Sequence, residues 1–342
     1  MTRVVSLMAG ARVGGAEAFF ERLVGALHDA GVDQRVAIRA EPAREARLRA
    51  RGLAPTSLAF GGPLDLATPW RLSRLFGALD ADVALAFMSR AAAKLPPKAW
   101  CARAPVYVGR LGGYYDLKYY RRCDRLIANT ADIRDWIVAR GWPAARVDYL
   151  PNFVDATPAS PAPREGAERL ILALGRLHPN KGFDVLIAAL SEVPGATLWI
   201  AGEGPLDAAL KAQAAPLGGR VRFLGWREDT AALIEACDVL VCPSRHEPLG
   251  NVVIEGWARA KPVVAAASQG PRALIEDGVT GLLAPVDDAR ALAAALRRAL
   301  DERDLAATLA QAGHARYDAA FARDAVVAAY REFLDRAAKE RA

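Results

Sequence analysis

Two glutamates, Glu247 and Glu255, lie eight positions apart, with a glycine and the predicted start of a helix between them. Pro248 disfavours helix at the residue before it, so we expect Glu247 on a loop, while Asn251 can cap the helix that follows. The first turn of a helix offers unpaired N–H groups to an anion such as a diphosphate. A carboxylate one turn further in can accept hydrogen bonds from ribose hydroxyls, and one on the loop can reach hydroxyls of a transferred sugar. The segment predicts a sugar-nucleotide site, the alternative being a solvated helix start with two surface acids. The residues assigned to this site are Glu247, Leu249, Gly250, Asn251 and Glu255.

Two cations follow an apolar run earlier in the chain. Residues 170–174 are aliphatic, which is typical of a buried parallel strand, and Arg176 and Lys181 come soon after it. Ligands bind at the carboxyl ends of strands in open α/β sheets. An arginine can form a forked pair of hydrogen bonds with two phosphate oxygens, and a lysine supplies a mobile point charge. Arg176 and Lys181 are therefore predicted to stabilise a departing nucleotide diphosphate; the alternative is two exposed side chains on a loop.

Short segments along nearly the whole chain share the pattern of one enzyme family. They are Val13-Gly14-Gly15-Ala16-Glu17, Tyr149-Leu150-Pro151-Asn152-Phe153-Val154-Asp155, Leu174-Gly175-Arg176 through Lys181-Gly182, Ile200-Ala201-Gly202-Glu203-Gly204-Pro205, Phe223-Leu224-Gly225, Val241-Cys242-Pro243-Ser244, and Glu247 to Glu255. Together they resemble the retaining glycosyltransferases of family four. The resemblance implies the GT-B fold, an α/β architecture of two Rossmann-like, doubly wound parallel-sheet domains that face a ligand-binding cleft.

Length and the alternation of elements agree with two domains. A chain of 342 residues exceeds the size at which one core usually keeps growing. Short aliphatic runs predict six strands in each half: 4–8, 35–38, 83–87, 106–109, 125–128 and 147–150, then 170–174, 197–201, 221–223, 239–242, 263–265 and 281–283. We expect a first, acceptor-side domain over 1–155, a proline-rich linker over 156–163, and a nucleotide-sugar-binding domain over 164–320. The resemblance implies that a last helix near 321–337 packs back on the first domain.

Composition narrows the class of protein. No apolar run approaches the roughly 18 to 20 residues that span a bilayer, so we predict no transmembrane helix. The apolar run near the amino terminus is too short for a signal-peptide core, so we predict a cytoplasmic chain. The four cysteines show no metal-ligand spacing with the four histidines, which predicts reduced thiols and no structural metal. The resemblance implies no cofactor other than the donor itself, a UDP- or GDP-linked sugar.

Charge is distributed unevenly along the chain. Residues 1–150 contain 23 Lys and Arg against 14 Asp and Glu, whereas residues 151–342 contain 22 against 25. A basic first half suggests an anionic partner. No nucleic-acid motif accompanies the charge, so nucleic acid is not expected. The remaining interpretations are a solvated basic face, a phosphorylated or acidic saccharide, and attraction to an anionic membrane surface. The last of these would place the enzyme at the inner face of the cytoplasmic membrane.

The first half also contains candidates for binding the second substrate. Gly14 and Gly15 follow the first strand and would let backbone N–H groups approach a donor phosphate; the alternative is a glycine turn without ligand contact. The acceptor, a saccharide or a lipid-linked saccharide, is assigned to Glu17, Arg90, Arg110, Tyr114, Tyr115 and Lys118. Many family members have a histidine where this chain has Arg110. The four tyrosines at 114, 115, 119 and 120 are either a platform for stacking sugars or packing residues.

The chemistry expected of these groups is sugar transfer with retained anomeric configuration. Arg176, Lys181 and the helix start would take up charge developing on the diphosphate while Glu247 contacts the sugar, so no metal ion is required. The resemblance implies that the donor phosphate helps to deprotonate the acceptor. It also implies a role in cell-envelope glycan synthesis, of lipopolysaccharide or exopolysaccharide. Three alternatives stay open: a nucleotide-sugar epimerase, a phosphorylase of related fold, and an inactive subunit that binds nucleotide sugar.

Overall fold

The computed structural model describes residues 2–12, 14–166 and 168–341. Val13, which belongs to the first glycine motif, lies outside the described residues. The chain divides into two compact units. The first comprises Met1–Asn152 with Arg323–Ala342, and the second comprises Phe153–Ala322.

Each unit contains one parallel sheet. The strands of the first sheet are β1 (Arg3–Met8), β2 (Asp33–Arg39), β3 (Thr56–Leu58), β4 (Val83–Phe87), β5 (Val106–Leu111), β6 (Arg125–Ala128) and β7 (Val147–Tyr149). Those of the second are β8 (Arg169–Leu174), β9 (Ala196–Ala201), β10 (Val221–Gly225), β11 (Val239–Cys242), β12 (Val263–Ala266) and β13 (Leu282–Ala284). The spatial orders are β3-β2-β1-β4-β5-β6-β7 and β10-β9-β8-β11-β12-β13. In each sheet the order reverses beside its first strand, which creates a crevice at the carboxyl edge.

Helices connect most of the successive strands, and the last three helices follow β13. They are α1 (Gly15–Asp29), α2 (Pro42–Ala50), α3 (Ala67–Leu79), α4 (Met88–Ala93), α5 (Ala131–Val138), α6 (Phe183–Leu190), α7 (Asp207–Ala214), α8 (Thr230–Ala236), α9 (Asn251–Trp257), α10 (Gln269–Leu274), α11 (Ala289–Asp301), α12 (Arg303–Ala320) and α13 (Arg323–Ala338). Short 3-10 turns lie at Lys98–Trp100, Leu117–Tyr120, Ala144–Arg146, Pro179–Lys181 and Ala215–Arg220.

The predicted fold class is confirmed. All twelve strands expected from the sequence are present, and their ends differ by at most two residues from the expected ones. One strand, β3, was not predicted because two of its three residues, Thr56 and Ser57, are polar and the segment forms no aliphatic run. It pairs with β2 at the edge of the first sheet.

The last helix, α13, belongs to the first unit. Tyr330, Phe333 and Leu334 on this helix are buried, and α13 packs against α1 and β4. The proline-rich segment over 156–163 has no regular secondary structure, and its Ala162 N–H donates to the Ala232 carbonyl of the second unit. The division in the structure therefore falls at Asn152 and Phe153, a few residues before the expected boundary at 155.

A buried tryptophan fixes α9 in the second unit. The Trp257 side chain is fully buried, and its indole N–H donates to the Thr280 carbonyl at 2.8 Å. A Cβ atom at Gly313 of α12 would lie 2.3 Å from the Trp257 ring, so only glycine allows α12 to approach this closely. This packing sets the position of the helix that carries Glu255.

Candidate active site

The predicted donor residues of the second unit follow the two central strands of its sheet. Arg176 and Lys181 come after β8, whereas Glu247 comes after β11. These neighbouring strands flank the point at which the strand order reverses. Loops that leave such a point run to opposite sides of the sheet and leave a ligand-binding crevice between them. The fold thus brings residues from two distant segments to one edge.

Lys181 and Glu247 form an ion pair across this crevice. The Lys181 Nζ atom donates to Glu247 Oε2 at 2.5 Å, and both side chains are largely buried. Burial lowers the pKa of Lys181, but the Glu247 carboxylate, with a smaller contribution from Glu255, outweighs that effect and raises it above its usual value. Lys181 is therefore a permanent cation here, and three charged groups of the predicted donor site lie within electrostatic range of one another.

A second charged network holds the turn that presents Lys181. The Arg245 guanidinium donates to both carboxylate oxygens of Asp184, at 2.7 and 2.6 Å, and to the Pro179 carbonyl at 2.8 Å. Hydrogen bonding to Arg245 lowers the pKa of Asp184. Gly182 completes the turn with φ 64°, and a Cβ atom there would lie 2.1 Å from the Pro243 carbonyl oxygen. The lysine thus extends from a fixed backbone.

Arg176 is exposed, and its two chain neighbours are hydrogen-bonded to the loop after β9. Gly175 N–H donates to the Ala201 carbonyl at 3.0 Å, and Leu177 N–H donates to the Glu203 carbonyl at 2.9 Å. A Cβ atom at Gly202 would lie 1.9 Å from the Gly175 oxygen, so the two loops touch only because this residue is glycine. The Arg176 backbone is therefore fixed while its side chain is exposed to solvent.

Glu247 lies on a loop, as Pro248 predicts, but the expected cap by Asn251 is wrong. Gly250 occupies the N-cap position in a left-handed conformation, φ 79°, and Asn251 is the first residue of α9. Because the chain turns at Gly250, the N-cap residue has no side chain that could accept a hydrogen bond from the helix. The Gly250 N–H donates to Glu247 Oε1 at 3.3 Å. Leu249 lies inside this loop. Glu255 is half-buried in the second turn of α9.

The first unit has its own cavity at the corresponding edge of its sheet. It has a volume of about 970 Å³ and lies at the ends of β1 and β4. Glu17 and Arg90 line it, together with Arg39, Trp100 and Tyr119. The wall is mainly apolar and contains a few charged groups, which is the usual composition of a small-molecule site.

Glu17 is buried in the first turn of α1. Its Oε1 accepts from Ala11 N–H at 2.7 Å. A Cβ atom at Gly14 would lie 2.3 Å from the Glu17 carboxylate, so this glycine leaves room for the acid. Gly15 is the first residue of α1 and has open space beside it. The two glycines thus have different surroundings, and Gly14 is the one that Glu17 constrains.

Arg110 is buried among side chains of the first unit. Its Nε donates to the Tyr330 hydroxyl at 2.9 Å, another nitrogen donates to Asn152, and the guanidinium stacks on Phe19. Burial raises the pKa of Tyr115 above its usual value. The charge of Arg110 opposes this shift, and the charge of Glu17 adds to it. Arg110 and Glu17 therefore both lie within electrostatic range of Tyr115, although Arg110 makes its own hydrogen bonds to Tyr330 and Asn152.

The remaining predicted acceptor residues have local partners. Tyr114 donates to Asp132 and packs edge-on against Trp136, with ring centroids 5.4 Å apart. Lys118 is exposed and pairs with Asp116 at 2.7 Å. The structure does not bring these two side chains to the cavity. Tyr120 is fully buried in the core, so among the four tyrosines Tyr119 is the one that lines the cavity.

Several site residues were missed by the sequence analysis. Gly270 N–H donates to the Glu247 carbonyl at 2.7 Å, and a Cβ atom there would lie 2.6 Å from Leu249, so α10 supports the Glu247 loop directly. The dipeptide Gly270-Pro271 is a turn signal that could have identified this position. The pairing of Arg245 with Asp184 joins residues far apart in sequence, and no local signal announces it.

The described part of the chain contains neither a cluster of metal ligands nor a membrane-spanning helix. Among residues 2–12, 14–166 and 168–341, no cluster of three or more His, Cys, Asp or Glu side chains could hold a metal ion. Within the same part of the chain, no helix is both long and apolar enough to cross a bilayer.

Comparison with known proteins identifies the family. The model for Glycosyltransferase Family 4 matches residues 13–157, and that for Glycosyl transferases group 1 matches residues 168–302. The lipopolysaccharide core biosynthesis glycosyltransferase LpsE of Rhizobium meliloti (strain 1021) is 34% identical over 332 residues, which cover 94% of this chain and 96% of the relative. The chain belongs to glycosyltransferase family four. LpsD of the same organism, also named as a lipopolysaccharide core biosynthesis glycosyltransferase, is 34% identical over 339 residues, 96% of this chain and 97% of the relative.

Solved structures show the same fold for this family-four glycosyltransferase. Anabaena Alr3699/HepE, in complex with UDP, matches with a TM-score of 0.86 at 22% identity, covering 98% of this chain and 100% of that one. The lipopolysaccharide outer core galactosyltransferase WaaB in its apo form matches with a TM-score of 0.79 at 16% identity, covering 97% and 98%. The fold is therefore GT-B, as the sequence resemblance implied.

Proposed function

We propose that this glycosyltransferase moves a sugar from a UDP- or GDP-linked donor to a hydroxyl of a saccharide or lipid-linked acceptor, with retained anomeric configuration and without a metal ion. The pathway proposed is synthesis of cell-envelope glycan, of which the lipopolysaccharide core is the best supported case because two full-length relatives are named for it. The observation that carries the proposal is the Lys181–Glu247 ion pair at the edge where the strand order of the second sheet reverses, the same edge at which Arg176 follows β8.

The proposed role of the cations is to stabilise the leaving diphosphate. As the bond between sugar and phosphate lengthens, negative charge develops on the phosphate oxygens. Lys181 is held in place by Glu247 and by its own rigid turn, so it meets that charge with little reorganisation. Arg176 is exposed and can fork onto two oxygens. Preorganised charges of this kind supply the stabilisation for which other transferases use a divalent cation.

The two glutamates have separate proposed roles. Glu247 shares its carboxylate between Lys181 and the Gly250 N–H, and an ionised carboxylate has further lone pairs that can accept from hydroxyls of the transferred sugar. Glu255 lies further along α9 and is assigned to the ribose hydroxyls. Retention requires the acceptor to attack from the face the leaving group departs from. We assign the acceptor proton to an oxygen of the departing phosphate, which lies on that face.

The acceptor is assigned to the cavity of the first unit. Glu17 and Arg90 line this cavity, and Tyr119 and Trp100 offer exposed aromatic faces to sugar rings. Tyr114 and Lys118, which were expected here, are engaged elsewhere and have no part in the proposal. The enzyme is proposed to work in the cytoplasm, at the inner face of the cytoplasmic membrane where lipid-linked acceptors are exposed.

A donor and acceptor screen tests the proposal. Purified protein is incubated with individual UDP- and GDP-sugars and a deacylated lipopolysaccharide core oligosaccharide, and product is followed by mass and by the anomeric proton coupling in NMR. We expect one donor to give a product that keeps the donor's anomeric configuration, with release of free nucleotide. An inverted product would reject the mechanism. Sugar isomerisation without nucleotide release would indicate an epimerase, and dependence on inorganic phosphate would indicate a phosphorylase.

A further inference from the structure

The loop over residues 61–66 of the first unit exposes large apolar side chains. Leu64 is 95% exposed and Leu66 is 66% exposed, and Trp70 in the first turn of α3 is 53% exposed. Leu66 N–H donates to the Leu64 carbonyl, and Trp70 N–H donates to the Leu66 carbonyl, so the three residues form one continuous stretch. Single exposed leucines are ordinary, but three large apolar side chains within seven residues form a patch that needs an explanation.

The backbone of the 61–66 loop is held firmly. Asp65 accepts from Gly61 N–H at 2.7 Å and from Thr68 N–H at 3.0 Å. Lys94, which is buried, donates to the carbonyls of Gly62 and Asp65 at 2.7 and 2.9 Å. Desolvation opposes ionisation of Asp65, but the hydrogen bonds from Thr68 and Gly61 and the charge of Lys94 outweigh it and lower the pKa of Asp65 to about 2. The acid therefore stays ionised and keeps its bonds to the loop backbone. The leucines are therefore presented outward by a rigid support.

Positive charge surrounds the exposed apolar side chains. Arg71 and Arg74 lie on the outer side of α3, and the Arg74 guanidinium stacks over the Trp70 ring at 5.2 Å. Arg39 and Arg90 are exposed on the rim of the cavity whose wall the 61–66 loop forms. The only acid of the loop, Asp65, faces inward to Lys94. Such a surface is complementary to an anionic bilayer. The apolar side chains can enter the boundary between headgroups and acyl chains, and the cations can contact the anionic headgroups.

We infer that the 61–66 loop and the first turns of α3 insert into an anionic membrane surface, with Leu64, Leu66 and Trp70 as the apolar anchors and Arg71 and Arg74 as the headgroup contacts. Because the same loop forms part of the cavity wall, a sugar carried on a lipid would enter that cavity directly from the bilayer. The role of this membrane contact in catalysis rests on the proposed lipid-linked acceptor. Binding of the protein to a membrane can be measured without catalysis.

The test is co-sedimentation of the full chain with vesicles of phosphatidylcholine alone or with about one third phosphatidylglycerol. We expect binding to the anionic vesicles that weakens as salt rises. Leu64→Ser with Leu66→Ser should lower the partition coefficient about thirtyfold or more. Arg71→Gln with Arg74→Gln should lower it about thirtyfold on anionic vesicles and leave the weak binding to neutral ones unchanged.

A matched control removes two exposed apolar residues from the second unit. Val279→Ser with Val286→Ser takes away side chains that are 43% and 38% exposed, and it should bind vesicles as the wild type does. Equal vesicle binding by the leucine variant and the wild type would overturn the inference. So would a change of oligomeric state in the leucine variant by size-exclusion chromatography, because the patch would then be a protein interface. Transfer to a soluble oligosaccharide should be unaffected in the arginine and valine variants, neither of which changes a residue of the cavity wall. Absence of this transfer in the wild type would reject the proposed function without affecting the vesicle result.

Discussion

Lys181→Ala gives the most direct test of the donor site. The substitution removes a cation that lies 2.5 Å from Glu247 and is proposed to contact the leaving diphosphate. Losing one preorganised charge contact in an active site costs about 100-fold in turnover, or about 2.7 kcal/mol. The cost should be higher here because the substitution also leaves the Glu247 carboxylate without its ion-pair partner, beside a departing anion. We therefore expect turnover to fall by about 100-fold or more.

The double variant separates these two effects. In Lys181→Ala with Glu247→Ala, the uncompensated carboxylate is gone, so the combined loss should be smaller than the sum of the two single losses by about 0.5 to 3 kcal/mol. The control is Lys211→Ala, which removes a lysine with an ion-pair distance of 2.7 Å to Asp207 on the exposed face of α7. A surface pair of this kind contributes little, and turnover should change by less than about twofold.

Turnover in these variants is measured as nucleotide release with the donor and acceptor at saturation, and thermal unfolding confirms that each variant is folded. If Lys181→Ala retained turnover within about threefold of the wild type, Lys181 would have no role in stabilising the leaving group. Strict additivity in the double variant would show that the ion pair in the structure is not coupled to catalysis.

Four further outcomes are expected. Activity in excess EDTA should equal activity with added magnesium or manganese, and a reversible loss in EDTA would reject the metal-independent mechanism. Calorimetry with free nucleotide diphosphate should show an affinity loss of about 1.5 to 3 kcal/mol for Glu255→Ala and almost none for Glu247→Ala, which should instead lower turnover; equal losses would refute the division of roles. Gly182→Ala should lower the unfolding temperature much more than Gly31→Ala, because both have positive φ but only Gly182 has a carbonyl oxygen 2.1 Å from the added Cβ atom. Asp65, with its pKa depressed to about 2, stabilises the fold above its unfolded pKa near 4, so urea unfolding should show Asp65→Asn destabilised by on the order of 2 kcal/mol at pH 7, with the difference disappearing as pH falls from about 4 to 2.

The sequence by itself determined the fold class, the family, and twelve of the thirteen strands found in the residues that the structure describes. These features are local: an aliphatic run is buried wherever it lies in a parallel sheet, and glycine motifs fix turns through backbone geometry that nearby residues dictate. The same reasoning placed Glu247 on a loop. It failed where local signals were weak or ambiguous, as in the three-residue strand β3 and in the helix start at Asn251, where Gly250 took the capping position instead.

Tertiary structure alone decided which side chains meet. Lys181 and Glu247 are 66 positions apart and become partners only because β8 and β11 are neighbours at the reversal of the strand order. Tertiary packing also buried Arg110, with hydrogen bonds to Asn152 and Tyr330, and turned Leu64 outward. Burial and pairing depend on contacts between distant segments, whereas a sequence pattern reports the preferences of one segment at a time. The residue types of the donor site could therefore be found from the sequence, but their contacts required the folded chain.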